Sequence, residues 1–199
     1  MNTFWKVFTG LLTIGVIVSL VTLFSGSQPV GAENLIGREL PGFAAPLASG
    51  TQTGDANVYT EAQAKSLKST AACDVNLPGV FNSCRDLKGD AILAFWNTTK
   101  RECVNDVATL DAFARRNKDV SVAAVAFEQT EASARAMVQK RGFKLPVPID
   151  RDGAVAALYS VAGCPTTFFA HDGEITGVIL GVLSAPQLTR GLGATGATN

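Results

Sequence analysis

Residues 164–182 read CPTTFFAHDGEITGVILGV, and this stretch sets the architecture. Its two β-prone runs, Thr166 to Ala170 and Glu174 to Val182, are separated by His171-Asp172-Gly173, a turn signal that makes them a hairpin. Toward the N-terminus, Ala91-Ile92-Leu93-Ala94-Phe95-Trp96 and Val120 to Phe127 are continuous apolar runs. A strand with one wet face alternates polar and apolar residues, so unbroken runs predict strands buried on both faces. Between them Cys103, Val107, Leu110 and Ala114 fall at i, i+4, i+7 and i+11, one apolar stripe of a helix. Thr130 is placed to N-cap a following helix that stops at Gly142. A short helix over Ala154 to Tyr159 and a last one over Pro186 to Leu192 complete the order β-α-β-α-(α)-β-β-α. That order predicts an α/β fold, a mixed sheet covered by helices on both faces.

The chain has 199 residues, enough for one ordinary domain, and with 47% apolar and 17% charged residues it can build a sizeable core. Lys+Arg and Asp+Glu are both 17, so no net basic charge drives binding to nucleic acid. His171 is the only histidine, which rules out a multi-histidine metal site within one chain. No metal and no cofactor are expected. The four cysteines carry the functional question.

Val7 to Phe24 is an uncharged apolar span preceded by Lys6, and it has two leading readings, with a buried core helix as the third. It is long enough to cross a bilayer as a helix and long for a signal peptide, while Val30-Gly31-Ala32 offers a small-residue cleavage pattern. Lys6, the only basic residue before Arg38, favours an N-terminus on the inside. A membrane anchor or signal over 1–24, a linker over 25–35, a domain over 36–192 and a frayed tail over 193–199 follow. Gly50 to Lys68, polar and rich in Thr and Ala, reads as a surface excursion. Either leading reading of the span puts the domain outside the cytoplasm, in the cell membrane's extracytoplasmic compartment or secreted. There an even number of thiols is expected to pair. Cys73 and Cys84 enclose a turn-forming segment with Pro and Gly, so the simplest arrangement is Cys73–Cys84 locally, as a structural staple, and Cys103–Cys164 at long range. The spacing leaves the other two pairings open.

A Cys on the first helix and Cys-Pro before an antiparallel hairpin resemble the thioredoxin fold. More narrowly, the chain resembles the membrane-anchored redoxin/TlpA-type proteins and the related alkyl hydroperoxide reductase/thiol-specific antioxidant family. Gly37 to Leu47 (GRELPGFAAPL) is similar to the family's lead-in segment with its short strand. Leu87 to Trp96 is similar to the first core strand that runs into the active-site loop, and Pro165 to Ile175 to the cis-proline segment and its hairpin. The resemblance covers residues 36–192.

The departure lies at the site. The family's Trp-Cys-x-x-Cys is here Trp96-Asn97-Thr98-Thr99-Lys100-Arg101-Glu102-Cys103, with Lys100 where the first cysteine stands. Dithiol exchange through CxxC is excluded. A peroxidase would need Thr at position 100, Pro at 96 and Arg at 165, where this chain has Lys100, Trp96 and Pro165. The resemblance implies that Cys164, before the proline, packs against the active-site turn, so that Cys103 and Cys164 form a relocated redox pair. Lys100, Trp96, Pro165 and Thr166 would support it; the plainer readings are a surface charge for Lys100 and a core position for Trp96. A first-turn cysteine and Lys100 at i−3 favour the thiolate. The implied function is thiol–disulfide exchange with protein thiols or disulfides of an extracytoplasmic partner. A catalytically silent binding module stabilised by disulfides is the alternative, and thiol peroxidase the weaker one.

Overall fold

A computed structural model describes residues 31–193. The span 7–24 and the tail beyond 193 lie outside the described residues, among which no helix is long and apolar enough to cross a membrane. The central sheet has the strand order β5-β4-β3-β6-β7. Its strands are β3 (Asp90–Trp96), β4 (Ser121–Phe127), β5 (Ile149–Asp150), β6 (Thr166–His171) and β7 (Glu174–Leu180). β3 runs parallel to β4 and antiparallel to β6. The hairpin expected over residues 166–182 is β6–β7, closed at Asp172-Gly173 with both residues at positive φ.

Alternate residues of the apolar runs enter two separate cores, which is why both faces had to be apolar. Ile92, Ala94 and Trp96 of β3 meet Ala124, Ala126 and Phe169 under helices α3 (Arg101–Arg116), α4 (Glu131–Arg141) and α6 (Ala185–Gly193). Leu93 and Phe95 join Val125, Phe127 and Phe168 on the other face, where Tyr159 packs edge-on against Phe168 at 5.2 Å and Phe43 at 6.0 Å. The Tyr159 hydroxyl donates to the Pro41 carbonyl at 2.7 Å, and burial pushes this phenol well above its ordinary range. Helix α3 buries the stripe the spacing gave: Cys103, Val107 and Leu110 are fully enclosed and Ala114 partly so. Thr130 caps α4 through Ser133 N–H, and Gly142 ends it at φ 66°.

The lead-in segment supplies β1 (Ala44–Pro46), which pairs with β2 (Val80–Asn82) in a two-stranded sheet of its own. Two stretches are more ordered than expected. The last residues of the expected linker, Ala32–Leu35, form a 3-10 turn whose Ala32 is buried in the second core. The excursion contains helix α1 (Glu61–Leu67), started by a capping box in which Thr60 accepts from Gln63 N–H and the Gln63 side chain accepts from Thr60 N–H. Helix α2 (Ser83–Asp86) and helix α5 (Ala154–Leu158) complete the set.

Candidate functional site

Strand β3 ends at Trp96, and the next four residues turn the chain into α3. This loop is clasped by side chains: Thr98 N–H donates to Gln129 Oε1 at 3.1 Å, Thr98 and Ser133 share a hydroxyl bond at 2.9 Å, and Gln129 Nε2 donates to Trp96 O at 3.4 Å. Asn97, buried, accepts from the Thr99 amide and hydroxyl. The helix therefore begins at a fixed place, and Cys103 falls in its first turn, fully buried.

Across from it the Cys164–Pro165 peptide is cis, and Cys164 is half-buried at the edge of both cores. Thr166 Oγ1 donates to Gly163 O at 2.7 Å, and Gly181 N–H donates to Pro165 O at 2.8 Å, so the turn is held from both sides. Cys103 and Cys164 are joined by a disulfide with Cα atoms 5.8 Å apart; Cys73 and Cys84 form the other, at 5.4 Å. The structure thus adopts the simplest of the three pairings and brings the two proposed redox cysteines together.

The supporting residues divide. Pro165 and Thr166 are buried beside the bond. Trp96 is a core residue, with Nε1 donating to Ala124 O at 3.3 Å and its ring edge-on to Phe143 at 6.1 Å; it is no platform for a substrate. Lys100 is exposed at the N-cap of α3, without a side-chain capping bond. Sequence reasoning missed Asp106, one turn after Cys103, whose Oδ2 accepts from Leu183 N–H at 2.9 Å and so ties α3 to the chain after β7. Burial lifts this carboxyl above its ordinary value. At the hairpin turn, His171 Nδ1 bonds Asp90 at 2.8 Å, and that bond raises the imidazole's pKa. Among the described residues no cluster of His, Cys, Asp or Glu is arranged to hold a metal ion.

The site's chemical capacity follows from unequal burial. Thiol exchange needs a thiolate to reach one sulfur in line with the bond while the other sulfur leaves. Cys103 is enclosed and Cys164 only half-buried, so Cys164 is the more exposed of the two. As the leaving thiolate, Cys103 would face the unpaired amides and positive end of a helix of 16 residues.

Comparison with known proteins agrees with this architecture. The AhpC/TSA family model matches residues 58–178. The chain is 29% identical over 117 residues to the thiol-disulfide oxidoreductase ResA of Bacillus cereus, covering 57% of this chain and 68% of that protein. It is 32% identical over 107 residues to ResA of Oceanobacillus iheyensis, covering 52% of this chain and 56% of that one. Among solved structures it is similar to a secreted Mycobacterium tuberculosis disulfide oxidoreductase homologous to E. coli DsbE, with TM-score 0.53 and 20% identity over 58% of this chain and 89% of the other. The fold is thioredoxin-like.

Proposed function

The chain belongs to the AhpC/TSA family, and from that premise we propose that it is an extracytoplasmic thiol–disulfide oxidoreductase that works through Cys103 and Cys164. The observation that carries the reading is the bond between a fully buried sulfur at a helix start and a half-buried one before Pro165. A partner thiolate attacks Cys164 Sγ, the bond to Cys103 breaks, and its electron pair remains on Cys103 as thiolate. A second thiolate of the partner then attacks the mixed disulfide, and Cys164 leaves. Two electrons pass to the cysteine pair, and the partner dithiol becomes a disulfide; the reverse sequence oxidises a partner's thiols in the same balance. Thr166 and Gly181 hold the turn that presents Cys164, and the clasp around Thr98 fixes the helix that shields Cys103. The apolar span 7–24 keeps the domain at the membrane's outer side, where the pair can be reoxidised.

A peroxidase reading lacks its groups. Trp96 is core, Lys100 is an exposed helix cap, and Pro165 offers no cation.

The test is a trapped intermediate. With Cys103→Ser, the Cys164 thiolate should attack a disulfide substrate such as oxidised glutathione, release one of its sulfurs as thiolate, and accumulate as a mixed disulfide on Cys164, read by peptide mass spectrometry, whereas Cys164→Ser should leave Cys103 unreactive in the folded chain. In the parent, glutathione titration should place the Cys103–Cys164 potential above about −300 mV. A bond that resists reduction at that poise, with no adduct on Cys164, refutes the enzyme reading.

A further inference from the structure

The second disulfide is the more accessible one. Cys73 and Cys84 are both exposed, whereas Cys103 is fully enclosed. The Cys73–Cys84 bond forms one wall of a cleft of about 440 Å³ on the side of the molecule covered by β1 and β2. Gly42 backs the bond: a Cβ there would lie 2.7 Å from Cys73 Sγ and 2.9 Å from Cys84 Sγ, so only glycine admits the two sulfurs at this point. Leu40, Pro41 and Tyr59 also line the cleft, with two carboxylates, Glu39 and Glu61, and no basic side chain.

A bond that served only as a staple would be the main tie across its loop. Here the loop has other ties. The Asn82 side chain, buried, donates to Ala72 O, Cys73 O and Val75 O at 3.0, 3.1 and 2.8 Å, and accepts from Cys84 N–H at 3.0 Å. Arg85 donates to Asn76 Oδ1 and Val80 O across the same segment. Cleavage of the bond therefore leaves both cysteines close together and able to reclose. The two sulfurs also differ. Ser83 Oγ accepts from Phe43 N–H at 2.8 Å and stands 4.0 Å from Cys84 Sγ, so its own hydrogen is available to a negative charge on Cys84.

We propose that Cys73–Cys84 is a second thiol–disulfide exchange site, separate from Cys103–Cys164, whose reductant is a cysteine-pair segment of a partner protein flanked by Lys or Arg. The partner thiolate attacks Cys73 Sγ, and Cys84 leaves as a thiolate that accepts the Ser83 hydroxyl. The partner's second thiolate then resolves the mixed disulfide. The partner ends as a disulfide, and Cys73 and Cys84 as two thiols. The apolar lining receives the cysteine segment, and Glu39 and Glu61 select its basic flanks.

The experiment uses the parent chain, fully oxidised, with two synthetic peptides carrying the same cysteine pair between Lys or between Glu residues. After acid quench, isotopically distinct alkylating reagents report each disulfide separately, so failure at Cys103–Cys164 is read independently of failure here. The expected result is reduction of Cys73–Cys84 by the Lys-flanked peptide at least about tenfold faster than by the Glu-flanked one at low ionic strength, converging in salt. A peptide with one cysteine replaced by Ser should be trapped on Cys73 and not on Cys84. The same reaction should persist in Cys103→Ser/Cys164→Ser. A Cys73–Cys84 bond left intact while the domain is folded, or equal rates with both peptides, overturns the proposal.

Discussion

Opening the Cys103–Cys164 bond separates an exchange site from a static brace by its effect on stability. The bond closes a loop of 61 residues, which in the chain-entropy description is worth about 4 kcal/mol of folding free energy. A brace delivers that amount. In a redox pair the reduced folded state has a stabilisation of its own, here the charge–dipole interaction of a Cys103 thiolate at the start of α3, of about 0.3–1 kcal/mol and up to about 2 kcal/mol when partly buried. The measured difference between oxidised and reduced protein should then fall to about 2–3.7 kcal/mol. Each ~1.4 kcal/mol of that shortfall corresponds to about 30 mV of more oxidising potential. The assay is equilibrium urea unfolding of a Cys73→Ala/Cys84→Ala chain, so that one bond remains, with and without reductant at pH 7.5. The same samples give the potential by glutathione titration, and the two numbers must agree through the thermodynamic cycle. A loss of 4 kcal/mol or more on reduction would refute the reasoning and leave Cys103–Cys164 a brace.

Two further outcomes test the supports of the site. Asp106→Asn keeps an acceptor for Leu183 N–H but removes a carboxyl whose pKa burial raises above 3.8. Ionising this group costs more in the folded than in the unfolded chain, so parent stability falls as pH rises from about 3.8 through the raised folded value; the variant's melting temperature relative to the parent should climb over that window, and a pH-independent difference would refute the assignment. Arg135 donates to the carbonyls of Leu47, Ala48, Gly50 and Gln52 and pairs with Glu131; Arg135→Met should cost about 2–3 kcal/mol and open residues 47–55 to protease, and unchanged cleavage would show that the loop is held otherwise.

The strands and the main helix were legible because each leaves a local signature. The runs at 91–96 and 120–127 are apolar on both faces, and the stripe from Cys103 to Ala114 has helical spacing. Helix α1 was not read, although Thr60 and Gln63 spell its capping box, because only Ala64 of its seven residues is buried and no apolar period marks it. The site was legible only in part. The pairing of Cys103 with Cys164 followed from the fold's habit of setting the residue before the proline against the helix start. The clasp of Thr98 by Gln129 and Ser133, the bond from Asp106 to Leu183 and the fit of Gly42 under two sulfurs join positions 31 or more residues apart. Each depends on where the chain passes in space, and no spacing in one segment encodes it.

The loss of the first cysteine of the motif does not remove the logic of the site. Exchange requires one reachable sulfur and one shielded sulfur near a positive charge or dipole, whichever elements supply them. The helix retains the shielded member at Cys103, and Lys100 occupies the surface position that the reachable one would have held. In the proposed exchange, Cys164 takes over the reachable role from the facing loop, which puts the point of attack on the turn before β6. Gly163 has open space where a side chain would stand, and Leu180 and Val182 are exposed on either side of the Gly181 that bonds Pro165. A substrate attacking Cys164 as proposed would meet this glycine and these two aliphatic side chains. On the proposed reading, selectivity at this site would rest on apolar contact, whereas the cleft at Cys73–Cys84 presents Glu39 and Glu61. If both proposed exchange sites operate, rims of such different character would suit two different partners.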